Sequence, residues 1–304
     1  MAMGGLLMLP HRVSGDCVDA PHKQWQCVLL KTRDRTIDRT YGNSFLNEQA
    51  DLMTKYRIPL FAAAVAIAAT ASMDYSGYSQ FSALILFPLV VILWFVLRPG
   101  REEWGLVAGR LGDYGLALLY PLVVIGGLAL LTLLVGATST VETDWNKTLI
   151  NMAAVGVSTI IVAILTEEGF FRGTLWAELR KNGAGLGATV LFTSLAFMAW
   201  HIGWAVLPGE GQLPPLQAPV YLANVALLGA AWGLLRAISG SVIVASVSHG
   251  VWNGMVYLLF GLGEGDGALG ITDSIIYGPE RGLLGLVFNG AFVFFLWKKA
   301  NASE

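Results

Sequence analysis

The 304-residue chain is 55 % hydrophobic and 13 % charged, with a formal net charge of −2 and a mean hydropathy of +0.61. It is too apolar for an ordinary soluble domain, and without a basic block it offers nothing to nucleic acid as a partner. Its two cysteines, Cys17 and Cys27, lie in the polar N-terminal stretch, leaving the apolar body without a thiol for a disulfide, a cluster or covalent catalysis.

Residues 1–55 carry scattered charges of both signs and no sustained periodicity, so they read as a disordered polar tail, with Met53 as an alternative start. The tail residues His11, Cys17, His22 and Cys27 match no zinc spacing. The opening ten residues have no basic residue ahead of their short apolar run and make a poor secretory signal.

Eight apolar segments follow, at about 58–73, 81–97, 114–136, 148–176, 186–205, 219–236, 242–262 and 283–297. Most approach the roughly 17–25 residues a spanning helix needs, the first and last being short. Residues 56–300 are therefore expected to form an all-α bundle of about eight transmembrane helices in the cell membrane. Continuous apolar runs, without strict alternation, argue against a β-barrel.

With both ends in the cytoplasm, the inside segments hold all the lysines and arginines except Lys147 and Arg281, and the 263–280 loop outside is acidic. The positive-inside rule favours that orientation. Trp104, Leu106, Val107 and Leu111, set among charges, suggest a short interfacial helix over 101–113 that anchors the chain.

The fourth apolar segment ends in Thr166-Glu167-Glu168-Gly169-Phe170-Phe171-Arg172. A charge at mid-bilayer costs roughly 2.5–3.5 kcal/mol on insertion scales, whereas a solvated i,i+4 pair such as Glu168 with Arg172 returns only about 0.2–0.5 kcal/mol. Stability does not account for the group. It is either a buried acid/base site or a Glu–Arg pair marking where the helix leaves the membrane.

The polar stretch Arg180-Lys181-Asn182-Gly183-Ala184-Gly185 predicts a turn, and Glu167 and His201 lie at equal separations on either side of Ala184. At 1.5 Å rise per residue both are about 25 Å from the turn, which predicts side chains facing each other within hydrogen-bond or one-water reach. Phe197 with His201, and His249 with Asn253, are each four apart and share a helix face. Two histidines in apolar helices point to a cavity or bundle interior. His249 and Asn253 are suited to donate hydrogen bonds to a developing oxyanion, although Asn253 could equally bond between helices.

Together, Glu167-Glu168-x-x-x-Arg172, Phe197-x-x-x-His201 and His249-x-x-x-Asn253 resemble the motifs of the CAAX prenyl protease type 2 and bacteriocin-processing family (CPBP, or Abi) of intramembrane endopeptidases. The resemblance spans residues 100–298 and implies an eight-helix bundle with a cytosol-facing catalytic cavity. It further implies that Glu167 and His201 activate a water, that His249 and Asn253 form the oxyanion hole, and that Glu168, Arg172 and Phe197 organise the site. The substrate implied is a membrane-associated protein or peptide.

No His-Glu-x-x-His is present, and a glutamate-activated water without a metal cofactor is the preferred mechanism. Zinc held by Glu168, His201 and His249 is the alternative. Competing functional classes are a non-catalytic scaffold or bacteriocin-immunity protein of the same fold and, with less support, a transporter.

Overall fold

In a computed structural model, the described residues are 54–138, 142–209, 211–261 and 267–302. The chain divides into Met1–Glu48, which lies outside the described residues, and Gln49–Glu304, which holds everything below. The tail expectations, including the histidine–cysteine set and Met53, fall outside the described residues.

Every extended element among the described residues is helical. In order these are α1 (Arg57–Tyr75), a 3₁₀ segment Ser79–Ile85 running into α2 (Leu86–Leu97), the single turn α3 (Arg101–Trp104), α4 (Leu111–Val135) and α5 (Trp145–Leu165). A π-helical turn, Gly169–Leu175, then leads into α6 (Trp176–Lys181), followed by α7 (Leu186–Trp200), α8 (Ile202–Val206), α9 (Gln217–Ser239), α10 (Val242–Leu259), α11 (Ser274–Tyr277) and α12 (Leu283–Asn301). Among the described residues, seven helical stretches are long and apolar enough to cross a membrane, and α7 is a shorter apolar helix. These eight coincide with the eight apolar segments of the sequence, and the protein is a multi-pass helical bundle. The fifth segment is interrupted at His201, where α7 ends and α8 begins.

Helices α9 and α10 form the centre, with 61 % and 56 % of their spanning windows buried, against at most 33 % for the other five long stretches. The outer helices instead expose large apolar side chains such as Phe61, Phe95 and Leu134, as a lipid-facing surface requires. Between apolar helices in lipid, close packing and interhelical hydrogen bonds supply the attraction. Both are visible. Gly250 and Gly254 bring α10 against α5 so closely that an added Cβ would lie 2.5 Å from the Gly156 carbonyl oxygen and 2.6 Å from that of Met152. Tyr120 donates to Asn289 Oδ1 (2.7 Å), whose amide donates to Asn224 Oδ1 (3.0 Å), and Asn224 in turn donates to the Gly282 carbonyl (3.1 Å).

Contacts sort the helix ends into two sets. At one end Tyr56 and Lys55 lie beside Asn182 and Gly183, Val242 N–H donates to the Gly105 carbonyl (2.9 Å), and Gly187 packs on Trp297. At the other, Thr143 donates to the Ala268 carbonyl (3.0 Å), Gln217 to Ser274 (3.1 Å), and Arg281 lies over Trp204 (5.3 Å). The first end holds the start of α1 and the end of α12.

The 101–113 stretch departs from the interfacial-helix expectation. Only Arg101–Trp104 is helical before α4 begins at Leu111. Trp104 is buried, and its indole N–H donates to Thr174 Oγ1 (3.1 Å). The tryptophan is a wedge under the π turn, because its flat ring fits against two glycines there.

Candidate active site

The site begins with a break in the helix. Thr166 (φ −123°, ψ −99°) ends α5, with its hydroxyl bonded to the Val162 carbonyl (2.8 Å). The chain resumes through Glu167 and Glu168 and widens into the π turn, where Thr174 Oγ1 bonds back five residues to the Gly169 carbonyl (3.2 Å). Gly169 and Gly173 permit this path: a Cβ at Gly169 would sit 2.3 Å from the Ile164 carbonyl oxygen, and one at Gly173 would sit 2.5 Å from the Trp104 ring. π turns of this kind are frequent at functional sites.

Behind the cavity wall, Glu168 and Arg172 are both fully buried, with Arg172 Nη1 3.1 Å from Glu168 Oε1. Arg172 Nη2 donates to the Gly229 carbonyl (2.9 Å), and the guanidinium lies 4.6 Å from the centre of the Phe197 ring. Arg236 clasps the outside of this turn, donating to the carbonyls of Arg172 (3.2 Å) and Glu103 (2.9 Å). Burying two charges carries a desolvation penalty of several kcal/mol each, which only good pairing geometry offsets. Here the offset is incomplete, since Glu168 Oε2 and Arg172 Nε find no hydrogen-bond partner among the described residues.

His249 sits between the two glutamates. Its Nδ1–H donates to Glu168 Oε1 (3.1 Å), Nε2 lies 3.9 Å from Glu167 Oε2, and the ring stacks on Trp232 with centroids 3.9 Å apart. His201 is fixed differently: Nδ1–H donates to the Phe197 carbonyl (2.8 Å), and Phe197 and Trp200 hold its ring edge-on. A carbonyl only accepts, so Nδ1 carries the proton and Nε2 is left as the basic nitrogen of the neutral ring.

A cavity of about 340 Å³ joins these groups. Glu167, Phe197, His201, His249 and Asn253 line it, while Glu168 and Arg172 stand behind. Glu167 and His201 both line this cavity, but among the described residues no hydrogen bond or ion pair joins the two side chains, and the imidazole against Glu167 is that of His249. Equal distance from a turn fixes height along a helix and says nothing about rotation around it.

Several cavity residues carry no sequence motif. Trp232 and Tyr257 read as ordinary packing residues, Asp74 sits at the polar edge of the first apolar segment, and Glu280 belongs to the acidic loop. Glu280 Oε1 accepts from the Trp252 indole (2.6 Å), and burial pushes its carboxyl above the usual range.

The alternative zinc set does not fit. Glu168 Oε1 is already shared by Arg172 and His249, the residue has no exposed surface, and among the described residues no three His, Cys, Asp or Glu side chains are grouped to hold a metal ion.

The cavity runs from His249 and Trp232 inside the bundle to Asp74, Trp204 and Glu280 at the end opposite Arg57 and Asn301. The outer residues of the cavity and the helix ends at Arg57 and Asn301 therefore lie on opposite sides of the bundle, so the two do not both face the cytosol.

Fold and site together define a multi-pass helical membrane protein with an acid- and histidine-lined cavity among its spans. Residues 149–255 match the family model for type II CAAX prenyl endopeptidase Rce1-like proteins. The match takes in all seven residues from Glu167 to Asn253 assigned to the site. No curated protein and no solved structure matches the chain.

Proposed function

We propose that the protein is an intramembrane endopeptidase that hydrolyses a peptide bond of a membrane-associated protein or peptide. The observation that carries this reading is the convergence of Glu167, His201, His249 and Asn253, all within the stretch that matches the Rce1-like family model, on one cavity. A scaffold or immunity protein gains nothing from a buried, incompletely satisfied group of this kind.

In this mechanism Glu167 takes a proton from water as the oxygen attacks the scissile carbonyl, and His201 Nε2 shares that proton within the cavity. The carbonyl oxygen becomes negative and needs donors. Asn253 supplies an amide N–H. His249 has committed Nδ1–H to Glu168, so it donates from Nε2 only when the ring carries both protons. That makes Asn253 the principal oxyanion donor and His249 a partner shared with Glu167. Collapse of the intermediate breaks the C–N bond, and the proton taken from water goes to the leaving amine. Glu168 and Arg172 keep His249 in place.

We retain the cytoplasmic placement of both termini, on the surplus of Lys and Arg at that end. The cavity then faces away from the cytoplasm.

The test is quantitative proteomics of membranes holding the wild-type protein or Glu167→Gln. New peptide termini present only with the wild type are expected. Identical termini in both, with a preserved biological effect of the variant, would favour the non-catalytic scaffold.

A further inference from the structure

Asp74 lies in the last turn of α1, where the helix dipole disfavours a negative charge. It is 3 % exposed, lines the cavity, and neither carboxylate oxygen has a hydrogen-bond partner among the described residues. The Ser82 hydroxyl is near enough to interact with this carboxylate, but its proton is directed to the Ser79 carbonyl (2.8 Å). One turn earlier, Thr70 accepts from the Trp200 indole (2.6 Å), which locks this face of α1 to the helix end that carries His201. Opposite, a Cβ at Gly203 would lie 2.5 Å from Asp74 Oδ2, so α8 closes tightly on the carboxylate and holds it in place.

The surroundings favour a cation. Among the described residues, three carboxylates, Asp74, Glu167 and Glu280, line the cavity, and no lysine or arginine does. Trp204 at the rim already has the Arg281 guanidinium over its ring (5.3 Å), showing that this wall accepts a cation on an aromatic face. A free C-terminal carboxylate would meet like charge along this lining, with Arg281 only at the rim.

We propose that Asp74 is the recognition subsite of the cavity for a cationic side chain, a lysine or arginine, of the peptide that enters it. The proposal rests on the reading of the cavity as a peptide site, and names the substrate chemistry that reading leaves open. A buried carboxylate without a partner is satisfied when the substrate brings an ammonium or guanidinium, which selects against neutral and acidic residues at that position.

The test uses the full chain in lipid nanodiscs with Glu167→Gln to prevent turnover. The probes are three apolar peptides identical except for one lysine, norleucine or glutamate. The lysine peptide is expected to bind at least about tenfold more tightly than the other two. Asp74→Asn should remove that preference and Asp74→Glu should keep part of it. Equal binding of the three peptides, or a lysine preference that survives Asp74→Asn, would overturn the subsite. Should Asp74→Asn fail to fold, the three-peptide comparison on the parent protein still decides. Cleavage of the same peptides with Glu167 intact separates the two proposals: preference without cleavage defeats the hydrolytic reading alone, and cleavage without preference defeats the subsite alone.

Discussion

Glu168 Oε1 lies 3.1 Å from His249 Nδ1 and the same distance from Arg172 Nη1, so a single buried oxygen holds both an imidazole and a guanidinium. Removing that oxygen strands Arg172 in an apolar interior. Glu168→Ala should destabilise the protein by about 3–5 kcal/mol, read as a lowered midpoint of thermal unfolding in detergent. Glu168→Gln keeps the shape and should fold better than Glu168→Ala, yet lose activity because His249 is no longer oriented by a charge. Normal turnover in Glu168→Gln would show that the carboxylate is structural only.

In the proposed mechanism Asn253 donates to the oxyanion from its amide, without needing a second proton on a ring. Asn253→Ala should lower kcat by roughly 10²–10³ with a smaller change in KM, measured on any peptide the proteomic comparison yields. A raised KM with unchanged kcat would reassign Asn253 to substrate positioning.

Gly250 and Gly254 set the distance between α10, which carries His249 and Asn253, and α5, which leads into Glu167. Their neighbours across the interface include backbone carbonyls that cannot rotate away. Gly250→Leu should therefore push the helices apart and abolish activity while leaving membrane insertion intact. Retained activity would mean that the α5–α10 spacing does not govern the site.

Glu280 gives a pH test outside the spanning helices. Burial raises its carboxyl above the ordinary range, so the folded state binds its proton more tightly than the unfolded chain, and stability falls as pH rises through the folded value. Glu280→Gln should remove that loss, making the variant's unfolding midpoint less sensitive to pH just above the usual carboxylate range. Parallel curves for the two proteins would contradict it.

Orientation is measurable directly. After replacement of Cys17 and Cys27, single cysteines at Ser76→Cys and Asn301→Cys report opposite ends of the bundle, both on exposed positions. A membrane-impermeant maleimide applied to intact cells should label Ser76→Cys at once and Asn301→Cys only after permeabilisation. The reverse pattern would place the cavity on the cytosolic side and the charge surplus outside.

Much of this molecule was legible because ionisable residues are rare in apolar helices. Glu167, Glu168, Arg172, His201, His249 and Asn253 stood out against their surroundings, and the eight apolar runs delimit the helices. Asp74 and Glu280 did not stand out, because both lie at the ends of spans, where charge is ordinary. The partner of Glu167 was hidden for another reason. Residue counting from the Ala184 turn gives depth, but the break at Thr166 resets the rotation of the chain, and that rotation decides which histidine Glu167 meets.

The π turn has an implication for engineering. It houses one more residue per turn than the surrounding helix and is tolerated through Gly169, Gly173 and the Trp104 ring. Deleting a single residue within it would let the segment relax into a regular, better-bonded helix while turning everything before it by about 100°. A screen for heat-resistant variants should therefore not recover such a deletion, because turning Glu167 and Glu168 out of the cavity would cost more than one regular turn returns, roughly 2.5–3.5 kcal/mol for each charge facing lipid.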